Sequence, residues 1–346
     1  MRGSAIVAAA ILVVVALALG GTAAWLRLQE PLAALPRDPP TAVAEVEEWR
    51  EPWQGRTLLH VVLRGAAVRD VRFVVSLPDP LPARHIPIVL VIGGLDGGTR
   101  SIRRIGEAVG DPGPNAFLAY DWPLPSEEPS GLEIVLHLPE LRRSVLSVPG
   151  QIDAMLGWAS RQRWADPHRV SLLGFSLGAF VAPAAQRVAL GRGAAIHWTI
   201  IAYGGAPIGA VIAGHPAAKP VWAARLFGAG ADLILRPLEP GEHLPHLRGR
   251  FLVLRAGNDR LIAPPAADRL TDLTPQPRTV VVIEGGHMGL GPNKKELLAK
   301  VVAVARAWLV EQGAIVPDGP RAQPSGNPVR HRAAGVAGAA EVTFPR

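Results

Sequence analysis

The run Gly174-Phe175-Ser176-Leu177-Gly178 carries the clearest chemical signal in the sequence. It follows a short apolar run, Arg169–Leu173, and leads into the helix-forming run Leu177–Leu190. A serine placed between glycines at a strand-to-helix turn is held in a tight, strained conformation, exposed above a sheet edge. The glycines two residues before and after it let neighbouring backbone pack where a Cβ would clash. The helix that follows points its amide end at the serine, which favours negative charge developing there. Those are the needs of a nucleophile that attacks a carbonyl. A glycine-rich turn without chemistry is the plain alternative, and the flanking strand and helix argue against it.

A serine hydroxyl is a weak nucleophile and needs a base. In a strand–turn–helix setting the partners follow in the order acid, then histidine. Late in the chain, His331 lies in a Pro- and Gly-rich stretch, whereas His287 stands in Gly285-Gly286-His287-Met288-Gly289, directly after the run Thr279–Glu284. A loop at the C-terminal sheet edge would present His287 to Ser176. The imidazole in turn needs a carboxylate to fix its tautomer and stabilise its cation. Asp259 follows the run Phe251–Arg255, in Gly257-Asn258-Asp259-Arg260, one strand before the one that leads to His287. An Asn-Asp pair is also a common turn-former. Asp268 and Asp272 fall on the next helix and are expected to face solvent.

Acyl transfer also needs two amides aimed at the tetrahedral oxygen. Leu177, next after the serine, offers one. The other is expected from the glycine-rich loop Gly93-Gly94-Leu95-Asp96-Gly97-Gly98, and position assigns it to Leu95. That loop lacks the Lys-Ser/Thr ending of a phosphate-binding loop and the spacing of a dinucleotide fingerprint. The remaining histidines show no metal-ligand spacing. His243 and His246 lie three apart beside Glu242, but Pro245 interrupts any helix there. No metal is expected.

The elements that must position these residues alternate along the chain. Thr57–Arg64 and Asp70–Leu77 read as a hairpin. Ile88–Ile92, Ala116–Tyr120, Arg169–Leu173, His197–Tyr203, Phe251–Arg255 and Thr279–Glu284 read as strands. Gly150–Arg161, Leu177–Leu190 and Lys294–Glu311 read as helices. Such alternation predicts a doubly wound, mostly parallel α/β sheet. Residues 205–234 interrupt the rhythm with an apolar stretch and are expected to form a small cap. Its Trp222 and Phe227 are expected to line a substrate pocket that favours apolar acyl groups. The alternative is that they only cover the sheet.

Outside that region, residues 1–28 contain the uncharged run Ala5–Trp25 behind Arg2. It is long enough to span a bilayer of roughly 30 Å. It reads as a signal peptide or, with Trp25 and Arg27 at the far interface, as an uncleaved anchor. Either reading places the following domain outside the cytoplasm. Residues 29–56 read as a linker, 57–313 as the catalytic domain and 314–346 as a disordered tail. The net charge of +7 comes without a concentrated basic and aromatic patch, so nucleic acid is not an expected partner. The absence of cysteine excludes disulfides, thiol nucleophiles and zinc–thiolate sites.

With GGLDGG, GFSLG, GNDRLIAP and GGHMG in that order, the chain resembles the α/β-hydrolase superfamily from about residue 57 to 313. The stretch Leu238–Pro264 is similar to the dienelactone-hydrolase and acyl-thioesterase branches. The resemblance implies an eight-stranded core sheet and a Ser-His-Asp hydrolase that uses no cofactor. Gly93 departs from the histidine many relatives carry there, and Ser176 from the cysteine of dienelactone hydrolases. The expected reaction is hydrolysis of a small-molecule ester or thioester. An acyltransferase or peptidase on the same three residues is the nearest rival. A non-catalytic envelope binding protein is a further one, although a binder has no need of the complete set.

Overall fold

The computed structural model describes residues 20–94, 97–110, 112–123, 132–288, 291 and 293–317. The core is one sheet of nine strands. In chain order they are β1 (Ala44–Trp53), β2 (Arg56–Gly65), β3 (Arg69–Pro78), β4 (Ile86–Ile92), β5 (Ala116–Asp121), β6 (Ala165–Phe175), β7 (Trp198–Ala202), β8 (Arg250–Ala256) and β9 (Arg278–Ile283). Their order in space is β1-β2-β3-β5-β4-β6-β7-β8-β9. The first three strands pair antiparallel, β3 meets β5 antiparallel, and every later pairing is parallel.

The apolar runs become strands because both sheet faces are covered, so both residue sets of a strand must be apolar. In β4, Ile86, Ile88, Leu90 and Ile92 pack into one core cluster, and Val89 and Val91 into another on the opposite face. This is the two-residue alternation of a pleated strand. One face is covered by α2 (Leu132–Ser160) and α3 (Leu177–Leu190), the other by α1 (Gly98–Val109) and α7 (Lys294–Glu311). Residues 205–234 hold two helices, α4 (Ile208–Gly214) and α5 (Val221–Ile234). Short helical turns then lead to β8, and α6 (Pro264–Leu273) joins β8 to β9.

The structure departs from the sequence reading in three places. The sheet has nine strands rather than eight, because β1 lies within residues 29–56, the expected linker. β1 carries Glu45, Glu47, Glu48, Arg50 and Glu51 and is mostly exposed along its length. As an edge strand it needs no apolar face, and its charges discourage further pairing. Its stability comes from a ladder that runs from Ala44 opposite Arg64 to Trp53 opposite Arg56. Second, α2 begins well before Gly150 and carries Pro139 and Pro149 inside it. Third, Ala314 and Ile315 are buried, and the Val316 amide and carbonyl both bond the Asn115 side chain at 2.8 Å. The expected tail therefore begins with packed residues, while 318–346 lie outside the described residues. Residues 20–28 are helical, and among the described residues no helix is long and apolar enough to cross a membrane. Residues 1–19 of the expected membrane segment lie outside those described.

The chain ahead of β1 is fixed to the domain by a buried carboxylate. Asp38 accepts the Ala67 amide at 2.9 Å and the Val68 amide at 2.8 Å, in the turn between β2 and β3. Leu35, three residues earlier, is buried in the core. Asp38→Ala leaves both amides without this partner and should cost about 2 kcal/mol. A urea unfolding midpoint equal to that of the parent would show that residues 29–43 contribute nothing to the domain.

Candidate active site

Ser176 terminates β6 and precedes α3, with φ 53° and ψ −114°. A non-glycine residue held there stores strain of order 1–3 kcal/mol. Gly178 makes the turn sterically feasible. It lies so close to the Ile92 carbonyl at the end of β4 that a Cβ would overlap it. Gly174 in turn packs on Gly178 and Ala182. The loop after β4 runs beside the nucleophile: a Cβ placed on Gly94 would sit 3.9 Å from that of Ser176. The Trp122 indole holds this loop by donating to the Gly93 carbonyl at 3.2 Å, and the Asp121 carboxylate accepts the Gly98 amide. Leu95 lies outside the described residues. Leu177 is the first residue of α3, where amides have no partner within the helix.

The structure brings together the three residues that the sequence singled out. His287 Nε2 lies 2.8 Å from Ser176 Oγ, and His287 Nδ1 lies 2.8 Å from Asp259 Oδ2. With Nδ1–H donating to the carboxylate, Nε2 carries the lone pair and accepts the serine hydroxyl. The loops after β8 and β9 are joined to each other. The Gly257 amide donates to the Ile283 carbonyl and the Asn258 amide to the Gly285 carbonyl, both at 2.9 Å.

Asp259 is held ionised by its donors. Its other oxygen, Oδ1, accepts the amides of Leu261 at 2.8 Å and Ile262 at 3.0 Å. Burial pushes its pKa up. The hydrogen bond from His287, the two amides and the attraction of the imidazole outweigh that and leave it below the ordinary value of 3.8. The side chains of both Asp259 and His287 are only 6% exposed.

Sequence reasoning passed over Tyr203. It follows β7 directly, has φ 60° and is 2% exposed. Its ring stands edge-on to the His287 ring, with centroids 5.5 Å apart and planes at 85°. Its buried hydroxyl has no hydrogen-bond partner among the described residues. Burial and the Asp259 charge push its pKa well up, so it stays neutral. The signal in the sequence was its place at the end of an apolar strand before two glycines.

Trp222 and Phe227 stand on α5 with 69% and 73% of their surface exposed, whereas the sequence places them in the lining of a pocket. An apolar composition shows that a helix has an apolar face without showing which way that face turns. His243, considered for a metal, is fully buried and donates to the Pro237 carbonyl at 2.8 Å; burial lowers its pKa to about 4.

Because the folded pKa of Asp259 lies below its unfolded value, its contribution to stability is complete above 3.8. It is lost as pH falls through the folded value. Asp259→Asn should therefore be less stable than the parent at neutral pH, and the gap should narrow below 3.8. A gap in urea midpoint that stays constant across that range would mean the carboxylate is not stabilised in its charged form.

The sequence matches no family model and no curated protein. The fold, in contrast, has many solved counterparts. Acetyl xylan esterase 1 from a Thermoanaerobacterium species superposes with a TM-score of 0.54 at 10% identity, covering 78% of this chain and 91% of that one. A cold-adapted esterase from an Arctic intertidal metagenomic library gives 0.51 at 16% identity, covering 75% and 96%. An acetyl xylan esterase from a Paenibacillus species gives 0.51 at 16%, covering 76% and 87%. With its parallel sheet, its strained serine turn and these counterparts, the chain has the α/β-hydrolase fold.

Proposed function

We propose that the protein hydrolyses a carboxylic ester or thioester through an acyl-enzyme on Ser176. The observation that carries this reading is the continuous relay of two 2.8 Å hydrogen bonds, from Ser176 through His287 to Asp259. In the first step Ser176 Oγ attacks the carbonyl carbon while His287 Nε2 takes its proton. The tetrahedral oxygen is held by the Leu177 amide and, as the sequence order suggests, by the Leu95 amide. The bond to the leaving oxygen or sulfur then breaks, and the imidazolium returns its proton to that atom. Water, deprotonated by the same nitrogen, attacks the acyl carbon; the carbon–Oγ bond then breaks, the imidazolium returns its proton to Ser176 Oγ, and the acid leaves. Asp259 stabilises the imidazolium in both halves without taking a proton itself. The named activities of the esterases that share this fold support the reading.

Two experiments test it. Purified Ser176→Ala should lose about 10⁴ or more in kcat on p-nitrophenyl esters and should no longer react with a fluorophosphonate probe. Adding His287→Ala to it should lower the rate little further, because such residues act as a unit. Unchanged turnover in Ser176→Ala would sink the assignment.

The same proposal places the catalytic domain outside the cytoplasm, held or exported by residues 1–28. The supporting feature is the uncharged run Ala5–Trp25 behind Arg2. A C-terminal alkaline phosphatase fusion should be active, and a fusion to a fluorescent protein that matures only in the cytoplasm should be dark. The opposite pattern would overturn the location.

A further inference from the structure

We infer that the outer face of α5 rests on the surface of a lipid bilayer. The helix buries Ala224 and Gly228 and turns its largest apolar side chains to solvent: Val221 (62%), Trp222 (69%), Leu226 (66%) and Phe227 (73%). Trp222 and Leu226 are one turn apart at the centre of the exposed face, flanked by Arg225 and Phe227. A contiguous group of this size is unusual on a soluble monomer and marks an interaction surface.

The chemistry of the patch points to lipid. Lys219 and Arg225 are its cations, and no Asp or Glu occurs between Ile208 and Ala231. Aromatic and aliphatic side chains beside basic ones are what an interfacial helix offers to the headgroup region of an anionic membrane. The place of the patch points the same way. Arg236, two residues beyond α5, donates to the carbonyls of Arg27 and Gln29, the latter at 3.0 Å. It thereby fixes the C-terminal end of α5 to the chain that directly follows the uncharged run Ala5–Trp25. Trp25 and Leu28 are 58% and 85% exposed at that same end. A helix of 14 residues is roughly 21 Å long, so the whole apolar face lies within that reach of the membrane segment. Arg142 on α2 donates to the Ile234 carbonyl at 3.0 Å and secures this end to the core of the domain. Gly209 at the start of α4 donates to Asp232 at 2.6 Å and holds the two cap helices together.

The inference rests on the reading of residues 1–28 as a membrane segment, and it is independent of the esterase chemistry. The chain has no cysteine, so single labels are clean. The full chain carrying Trp222→Cys or Leu226→Cys, labelled with an environment-sensitive nitrobenzoxadiazole dye, is reconstituted into phosphatidylcholine vesicles with and without phosphatidylglycerol. Asp272→Cys, on the exposed side of α6, is the control. The expected result is a blue shift with a severalfold rise in emission at 222 and 226, larger with phosphatidylglycerol, and quenching by doxyl-labelled lipid. The label at 272 should remain as in water. Dyes at 222 and 226 that are not quenched by doxyl lipid would overturn the inference, whether they report water or a second copy of the chain. Failure of the chain to float with the vesicles would overturn it together with the membrane reading. Failure of the fluorophosphonate reaction would touch only the esterase reading.

Discussion

The site depends on one repeated hydrogen bond at the C-terminal edge of the sheet. Where the chain leaves β6, the Ser176 amide donates to the Ala202 carbonyl at the end of β7. Where it leaves β7, the Tyr203 amide donates to the Leu254 carbonyl of β8, and where it leaves β8, the Gly257 amide donates to the Ile283 carbonyl of β9. Each strand's departing residue is thus tied to its neighbour just beyond the regular ladder. The parallel registers set up these contacts, since Phe175 lies opposite Ala202, Ala202 opposite Leu254, and Ala256 opposite Ile283. Ser176, Tyr203 and the loops that carry Asp259 and His287 therefore sit on one staircase of backbone bonds. A shift of one residue in any of these pairings would turn side chains to the other face and separate Ser176 from His287.

That staircase also explains how two strained residues persist. Ser176 and Tyr203 both have positive φ, a conformation that non-glycine residues avoid. Both amides are bonded on the strand next door, and both positions are followed by tightly packed glycine. The neighbouring pairings over-determine the two conformations, which is the condition under which such strain survives. Strain in Ser176 lifts its hydroxyl off the sheet, while strain in Tyr203 turns its ring toward His287.

The chemistry was legible in the sequence because it sits where short apolar runs end. Ser176, Asp259 and His287 each follow a short apolar strand, and the order of strands in a parallel sheet brings successive ends to one edge. What escaped notice lacks that signature. β1 is an edge strand whose charges conceal a two-residue period. α2 continues through Pro139 and Pro149, whereas in the sequence Pro149 reads as standing near the start of a helix; surrounding packing offsets the hydrogen bond that an internal proline removes. Trp222 and Phe227 were expected at the pocket because an apolar insertion after the strand near Tyr203 should lie over the C-terminal sheet edge; their exposure on α5 cannot be read from composition. Tyr203 has no spacing rule of its own, and only its contact with His287 shows what it touches.

The surroundings of the relay decide which group can change its charge. Asp259 and His287 are almost fully shielded, and an ionised carboxylate withdrawn from water is costly unless its lone pairs are engaged. Asp259 meets that condition through two backbone amides on Oδ1 and the imidazole on Oδ2. The amides cannot leave without unfolding the Gly257–Ile262 turn, so the negative charge is fixed in place. The neighbouring Tyr203 ring stays neutral and brings no counter-charge. In the proposed reaction, a proton taken from Ser176 would remain on the imidazole, between the carboxylate on one side and the newly bonded serine oxygen on the other. In that step Asp259 would leave the Nδ1 proton on the ring, because its donors hold its pKa below the ordinary carboxylate value. Acid–base exchange in the proposed reaction would thereby be confined to His287 Nε2, the ring nitrogen that faces Ser176 Oγ.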